Sequence, residues 1–351
     1  MTPATSPRER LEAFWAGQRP DRTPLTIYRM FTRTGRPEEW APLLAKGLIP
    51  TDFRPPCRRE HTGGVERAVD EYDEGGRHWR RTALRTPVGE VFSLHADGWQ
   101  QKYMLATPED YRVMTYVAEH TRVVPAYEDY RAHATAFAPA GVCMPAVGRT
   151  PIQTMLVDLA GLAAFSMHLY DFEDAVLTLH EALLDVCRRV VAIAAEGPGT
   201  MVEVLENFSV ETLGPDRFAR FHRPVYEELF GVLHQAGKIV ATHFDGRLAA
   251  CRELIADAPV DVIESLTPPP EGDMTLAGAR QAWPEKLFWS NLNVGVWGLP
   301  PADLRGEVLR RAAEGSDDGR RLAFEISEDL PANWRQAIPV VLDALEETRR
   351  A

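Results

Sequence analysis

The chain predicts an α/β protein, a (β/α)8 barrel of the TIM class carrying an N-terminal insertion of helical and β-hairpin character. Three observations point there. Apolar strand-like runs alternate with helical periodicity along most of the chain, and polar or ionisable residues collect where those runs end. No Gly-rich dinucleotide fingerprint or phosphate loop is present, which counts against the doubly wound open sheet. With 351 residues, 45% hydrophobic and 26% charged, the chain can bury a large core. It reads as a single domain over 1–351, with 35–100 as the insertion.

A capped helix opens the chain. Ser6 suits the N-cap, Pro7 the first helical position, and Leu11, Phe14 and Trp15 make an apolar stripe that stops at Gly17. The alternating run Leu25 to Phe31 is a first strand with Arg29 near its exit. From Gly35 to His61 the chain is rich in Pro and Arg and weakly periodic. Val65 to His95 has the look of β-hairpins, with Thr86-Pro87-Val88-Gly89-Glu90 as a tight turn.

Beyond the insertion the alternation becomes regular. Helices at Pro108 to His120 and Ala126 to Thr135 precede a strand at Gly141 to Gly148. Helices at Gly161 to Leu169 and Asp171 to Ala195 precede a strand at Thr200 to Asn207. The helix from Pro215 to Ala236 is capped by Gly237. A strand then runs to Phe244, another from Ala258 to Glu264, a short helix from Leu276 to Ala282 and a strand from Leu287 to Asn293. A helix from Pro301 to Ala313, a strand from Leu322 to Ile326 and an amphipathic helix from Pro331 to Arg349 close the chain.

Charge and composition exclude several classes of partner. The net charge is −12 and no Lys/Arg block appears, so the protein's field repels phosphate backbones and no nucleic acid is expected. The longest apolar stretch, Leu156 to Phe165, is broken by Asp158 and is short of the roughly 20 residues a membrane span needs, so no membrane is expected. Met1 to Arg10 is polar and carries no secretory pattern, and the protein reads as cytoplasmic. Cys57, Cys143, Cys187 and Cys251 lie far apart without metal spacing and read as reduced core thiols.

The chemistry centres on Gly237 to Gly246. A β-branched strand there ends on His243-Phe244-Asp245-Gly246, and the next apolar strand ends on Glu264, so three ionisable groups can converge at one sheet edge. Each has a plain alternative. His243 can be a hydrogen-bonded structural residue, Asp245 before Gly246 a turn or cap, and Glu206 with Asn207 a cap for the next helix. Glu264 follows Val260, Val262 and Ile263 in an apolar run, where an unpaired carboxylate is expensive. Asn291 and Asn293 either orient substrate or satisfy backbone. Trp289, Trp297, Phe208 and Phe244 line an apolar pocket or pack the core.

In order along the chain, several motifs resemble the uroporphyrinogen decarboxylase superfamily, and within it the corrinoid-dependent methyltransferases and demethylases. They are Arg8-Glu9-Arg10-Leu11 with Pro20-Asp21-Arg22-Thr23-Pro24, then Thr86-Pro87-Val88-Gly89, Glu206-Asn207-Phe208-Ser209 and His243-Phe244-Asp245-Gly246. They continue with Glu264 followed by Thr267-Pro268-Pro269 and Gly272-Asp273, then Phe324-Glu325 with Pro331-Ala332-Asn333.

The resemblance implies a barrel whose mouth binds zinc in many methyltransferase members, through a His-x-Cys pair and a late Cys. Here His243 stands at the His, but Asp245 and Phe324 occupy the cysteine positions. That leaves an N/O set of His243, Asp245 and Glu264 for zinc or another divalent ion. It also implies a small methylated substrate, with Glu325 or Glu206 as proton donor and Asn207, Asn293, Arg29 and Phe244 as substrate contacts. The implied methyl acceptor is a corrinoid on a separate protein, and a homodimer is common among such barrels. The decarboxylase's Arg-rich signature is replaced by Tyr28-Arg29-Met30-Phe31, which speaks against a porphyrin substrate. Two other readings stand beside this one: a metal-free decarboxylase of the same fold using Asp245 and Glu206, and a noncatalytic tetrapyrrole- or corrinoid-binding protein.

Overall fold

The computed structural model describes residues 5–316 and 318–348. Eight strands close into a parallel barrel: β1 (Leu25–Tyr28), β2 (Leu48–Arg54), β3 (Val142–Gly148), β4 (Met201–Phe208), β5 (Ile239–Phe244), β6 (Val262–Leu266), β7 (Leu287–Asn291) and β8 (Leu322–Ile326). They follow in chain order around the ring, and β8 returns to pair with β1. The expected fold class is therefore the observed one. β2 lies inside the stretch that the sequence assigns to the insertion. Pro50 and the charged Asp52 and Arg54 mask its alternation, yet it pairs with β1 on one side and β3 on the other.

The chain packs as two compact units. The first comprises residues up to 55, 127–146 and from 198 onward, and the second comprises 56–126 and 147–197. The second contains the expected hairpins as a four-stranded antiparallel meander, Glu66–Glu74, Arg77–Thr86, Gly89–Ala96 and Trp99–Lys102, and a two-stranded sheet of Cys57–His61 with Thr121–Pro125. The helices Leu162–Asp171 and Glu173–Glu196, which the sequence reads as part of the barrel's alternation, belong to this unit. Val186 and Val190 of the longer helix pack against Cys57 and Ala118 there, which buries part of its apolar stripe.

One end of the barrel is sealed by the first helix, Pro7–Trp15. Ser6 accepts from the Glu9 amide at 3.2 Å while the Glu9 carboxylate accepts from the Ser6 amide at 2.7 Å, a reciprocal cap that fixes the helix start. Arg10, nearly buried, grips Asp21 through two bonds of 2.6 and 2.9 Å and ties the helix to the turn before β1. Leu11, Phe14 and Trp15 then enter a cluster with Ile49, Val142, Met201, Ala241, Val262 and Trp289, the inward residues at the amino ends of the strands. Trp289 in turn donates to Thr26 Oγ1 at 2.9 Å. This end is a packed apolar plug, so any chemistry belongs at the other end.

The last helix runs Trp334–Glu347. Its expected end at Arg349 and the polar start Met1 to Ala4 lie outside the described residues. Among the described residues no single helix is long and apolar enough to cross a membrane. The four cysteines are buried free thiols, as read from their spacing.

Phe14 is fully buried and meets Trp289 edge-on at 6.1 Å. Phe14→Ala should destabilise the protein by about 3–5 kcal/mol. Tyr72→Ala, at a 40% exposed position of the meander, should change stability by less than about 0.5 kcal/mol. Chemical denaturation of the two variants checks both.

Candidate functional site

Parallel pairing sets the site. β5 and β6 align His243 directly with Glu264, and β7 and β8 align Asn291 with Glu325. On β4, Glu203 pairs with Ala241, one inward position below His243. Side chains alternate across a strand, so these residues share the barrel interior with Tyr28 of β1.

The interior carboxyls surround one imidazole. His243 Nδ1 donates to Glu264 Oε2 at 2.5 Å, and the Tyr28 hydroxyl donates to Glu264 Oε1 at 2.5 Å. The other ring nitrogen, Nε2, faces Asp245 Oδ2 at 3.7 Å. Glu264 is fully buried, His243 almost so, and Asp245 half-buried. The result is a row of acid, imidazole and acid whose partly exposed end is Asp245.

Glu325 Oε1 accepts from the Ser265 amide at 2.8 Å, while its Oε2 and both Glu203 oxygens have no hydrogen-bond partner. None of Glu203, Glu264, Glu325 and Asp245 is paired with Lys or Arg; His243 is the one cation beside them among the described residues. Burial, then the nearby Glu264 charge, pushes Glu203 and Glu325 well above the usual carboxylate range. Burial thus favours the neutral, protonated form of both. Burial and Glu264 likewise raise the Tyr28 phenol, which keeps its proton and donates it to Glu264. For His243 burial opposes the charge, but Glu264 and Asp245 outweigh it and hold the imidazole well above its usual value.

Backbone irregularities aim these groups. The register between β4 and β5 shifts between Val204 and Phe208, with Asn207 at a φ of 55°, and that between β6 and β7 shifts at Ser265, with a φ of 61°. Left-handed backbone at non-glycine residues is uncommon and marks a bulge that redirects side chains or amides. At Ser265 it turns the amide onto Glu325. Ser265 Oγ also meets Ser327 Oγ at 2.9 Å, and Thr267 Oγ1 donates to the Ser265 carbonyl at 2.8 Å, so the bulge is held from two sides.

The expected metal set does not assemble. Glu264 occupies Nδ1 and Asp245 faces Nε2, and the two ring nitrogens point in different directions, so His243, Asp245 and Glu264 cannot share one ion as arranged. Among the described residues no group of three His, Cys, Asp or Glu stands ready to hold a metal.

Several other expected site residues are placed elsewhere. Glu206 lies on the helix side of β4, 3.9 Å from His222 Nδ1, because it stands three positions from the inward Glu203 and alternation puts it on the opposite face. Phe244 faces the same layer, 5.3 Å from the Phe208 ring and 6.3 Å from that of Tyr226, since it alternates with His243. Arg29 donates to Asp52 at 2.6 Å and lies over Phe137, in an outer cluster with His133. Asn293 is spent structurally: it donates to the Pro268 carbonyl at 2.7 Å and to Glu271, and accepts from Arg311 at 2.6 Å. Asn207 sits at the bulge, and Glu325 is where a proton donor was expected.

Tyr28 and Glu203 are site residues that the sequence reading passed over. The signal for Glu203 was the one used for Glu264, a lone acid in an apolar strand. For Tyr28 it was the alternation with Thr26.

No family model and no curated protein matches the chain. Among solved structures it is similar to a methyltransferase from Methanosarcina mazei, with a TM-score of 0.58 at 10% identity over 98% of this chain and 99% of that one. At that identity the likeness establishes the barrel fold alone. A magnesium complex from Roseovarius nubinhibens ISM, described as a mandelate racemase/muconatelactonizing enzyme, aligns at a TM-score of 0.22, 13% identity, over 82% of this chain and 84% of that one, and carries no argument.

The raised groups fix a pH dependence. Glu203, Glu325 and His243 all bind protons more tightly in the folded chain, so their contribution to stability is complete below their unfolded values, about 4.3 for Glu and about 6.5 for His, and is lost as pH rises through the folded ones. Stability should decline from about pH 5 toward the alkaline side. Glu264→Gln should bring the His243 titration, followed by NMR, back down. A His243 resonance that titrates at or below about 6.5 in the unaltered protein contradicts this account.

Proposed function

We propose that this protein is a methyltransferase-type enzyme acting on a small methylated substrate at the barrel mouth, with His243 as the proton donor. The observation that carries the reading is the clamp on His243: Glu264 holds Nδ1 at 2.5 Å, and Nε2 is left toward Asp245 at the partly exposed end. A carboxylate behind one nitrogen fixes the tautomer and orientation of the ring, so that a proton is delivered from the other.

Methyl transfer from oxygen or nitrogen needs such a donor, because the heteroatom leaves poorly unless it gains a proton. His243 Nε2–H supplies it, and Glu264 stabilises the imidazolium beforehand. Tyr28 holds the second oxygen of Glu264 and keeps that carboxylate from rotating. The methyl part of the reading is supported by the ordered motifs and by a full-length structural neighbour described as a methyltransferase. By the resemblance the acceptor is a corrinoid held by a separate protein. Zinc enters no step, since the donors present do not form a three-ligand site.

A second reading rests on the same clamped imidazole, which can deliver its proton to carbon as well as to a heteroatom. In a decarboxylase of this fold, His243 would protonate the carbanion left by carbon dioxide.

Methyl release from methoxy and N-methyl donors to a reduced corrinoid separates the two. The expected result is turnover that falls at least about 100-fold in His243→Asn, as expected for loss of a general acid. The unaltered protein's rate should fall on the alkaline side of its pH profile, and the variant's should not. Carbon dioxide release without methyl release would replace the first reading with the second.

A further inference from the structure

A cavity lies on the outside of the barrel, within the first unit. Ile49 and Phe53 of β2 belong to the inward apolar plug, so alternation sends Pro50, Asp52 and Arg54 outward, as it does Arg29 beside the inward Tyr28 on β1. Between this outer face and the helices Pro37–Ala45 and Tyr127–Phe137 is a space of about 400 Å³, lined by the apolar Trp40, Leu44, Pro50 and Phe137 and by Arg29 and His133. Its wall is held in place: Trp40 stacks on Trp334 at 4.1 Å, and its indole N–H donates to the Thr34 carbonyl at 2.8 Å. Arg29 and His133 are only half-buried, so both can be reached from the cavity.

The charge at this cavity is unbalanced. Arg29 Nη1 donates to Asp52 Oδ2 at 2.6 Å, Arg54 Nε donates to the same oxygen at 3.3 Å, and His133 Nε2 stands 2.6 Å from it. Burial opposes the Asp52 charge, but the bonds from Arg29 and His133 outweigh it and hold the carboxyl below its usual range. Two guanidinium charges therefore meet one carboxylate, and among the described residues neither arginine has a second acid. Arg29 lies over the Phe137 ring at 4.8 Å, which orients its plane, and its Nε and Nη2 make no hydrogen bond among the described residues. That edge of a guanidinium is a two-donor fork whose spacing matches a carboxylate.

Independently of the methyl-transfer reading, we propose that this outer cavity binds a small organic monocarboxylate, its carboxylate on the free edge of Arg29 and its apolar body against Trp40, Leu44 and Phe137. One surplus positive charge matches a monoanion, whereas a dianion such as phosphate is repelled by Asp52. The apolar wall rewards a carboxylate that carries a ring or branched chain and adds nothing for a bare inorganic anion. No residue lining the cavity belongs to the His243 site, so the two sites fill separately.

The test measures binding to the purified full chain by calorimetry, with phenylacetate, its neutral counterpart phenylacetamide, and acetate, which keeps the charge without the body. Phenylacetate is expected to bind at least about 10-fold more tightly than either of the others, as a charge-assisted pair added to apolar burial requires. Arg29→Gln should erase the preference for phenylacetate over phenylacetamide. Ala136→Phe, which fills the cavity from an exposed lining position and leaves the cations in place, should abolish binding and keeps the proposal testable if Arg29→Gln proves unstable. His243→Asn should leave phenylacetate binding unchanged. The proposal is overturned by an absence of phenylacetate binding, by equal binding of the amide, by binding that survives Ala136→Phe, or by binding that is lost in His243→Asn, which would place the ligand at the mouth instead.

Discussion

Keeping three glutamates out of water inside one barrel is the constraint around which the interior is arranged. An isolated carboxylate cannot be buried cheaply, so at most the acids that have a partner stay ionised. Glu264 has two, the His243 ring and the Tyr28 hydroxyl. Glu203 and Glu325 have no cation of their own and keep their protons. Glu264 then acts on all the others: its charge raises its neighbours and the phenol, and together with Asp245 it holds the imidazolium charged. Removing Glu264 outright would leave a buried imidazolium without its main partner, a loss on the order of 3–5 kcal/mol by analogy with broken buried ion pairs.

That pairing is a product of register rather than of loop geometry. His243 and Glu264 are adjacent because β5 and β6 align them strand to strand, and a slip of one residue would send both toward the helices. The apolar plug at the opposite end protects the register. Phe14 and Trp15 pack on Trp289, which is Glu264's own partner on β7, so packing at the bottom fixes the strand that positions the acid. The bulges at Asn207 and Ser265 work on the other end, where alternation alone would not deliver an amide to Glu325.

Much of this was legible in the sequence. The barrel class followed from alternating elements, and His243, Asp245 and Glu264 were read as neighbours from two strands that end in ionisable residues. What failed was direction. Strand parity assigns His243 inward and Phe244 outward, and a strict application of it would have removed Phe244 from the substrate contacts. The same parity would have removed Glu206, which stands three residues from the inward Glu203 and so faces His222 on the helix side. β2 was hidden because Asp52 and Arg54 face outward to an ionic cluster with Arg29 and His133, so its polar residues looked like loop. Asn293 looked like a substrate contact because a buried amide and a binding amide have the same sequence signature. Only the bonds to Pro268 and Arg311 separate them.

Asp245 and Phe324, at the two positions where the resemblance would place thiols, carry a chemical consequence of their own. A thiolate pair beside an imidazole competes with protons for a soft cation, and the imidazole must stay neutral to bind. A carboxylate facing Nε2, with another on Nδ1, favours the opposite state, because each stabilises the imidazolium. Phe324, fully buried on β8, offers no donor at all. The histidine thereby stands in a setting that suits a proton donor rather than a lone-pair ligand.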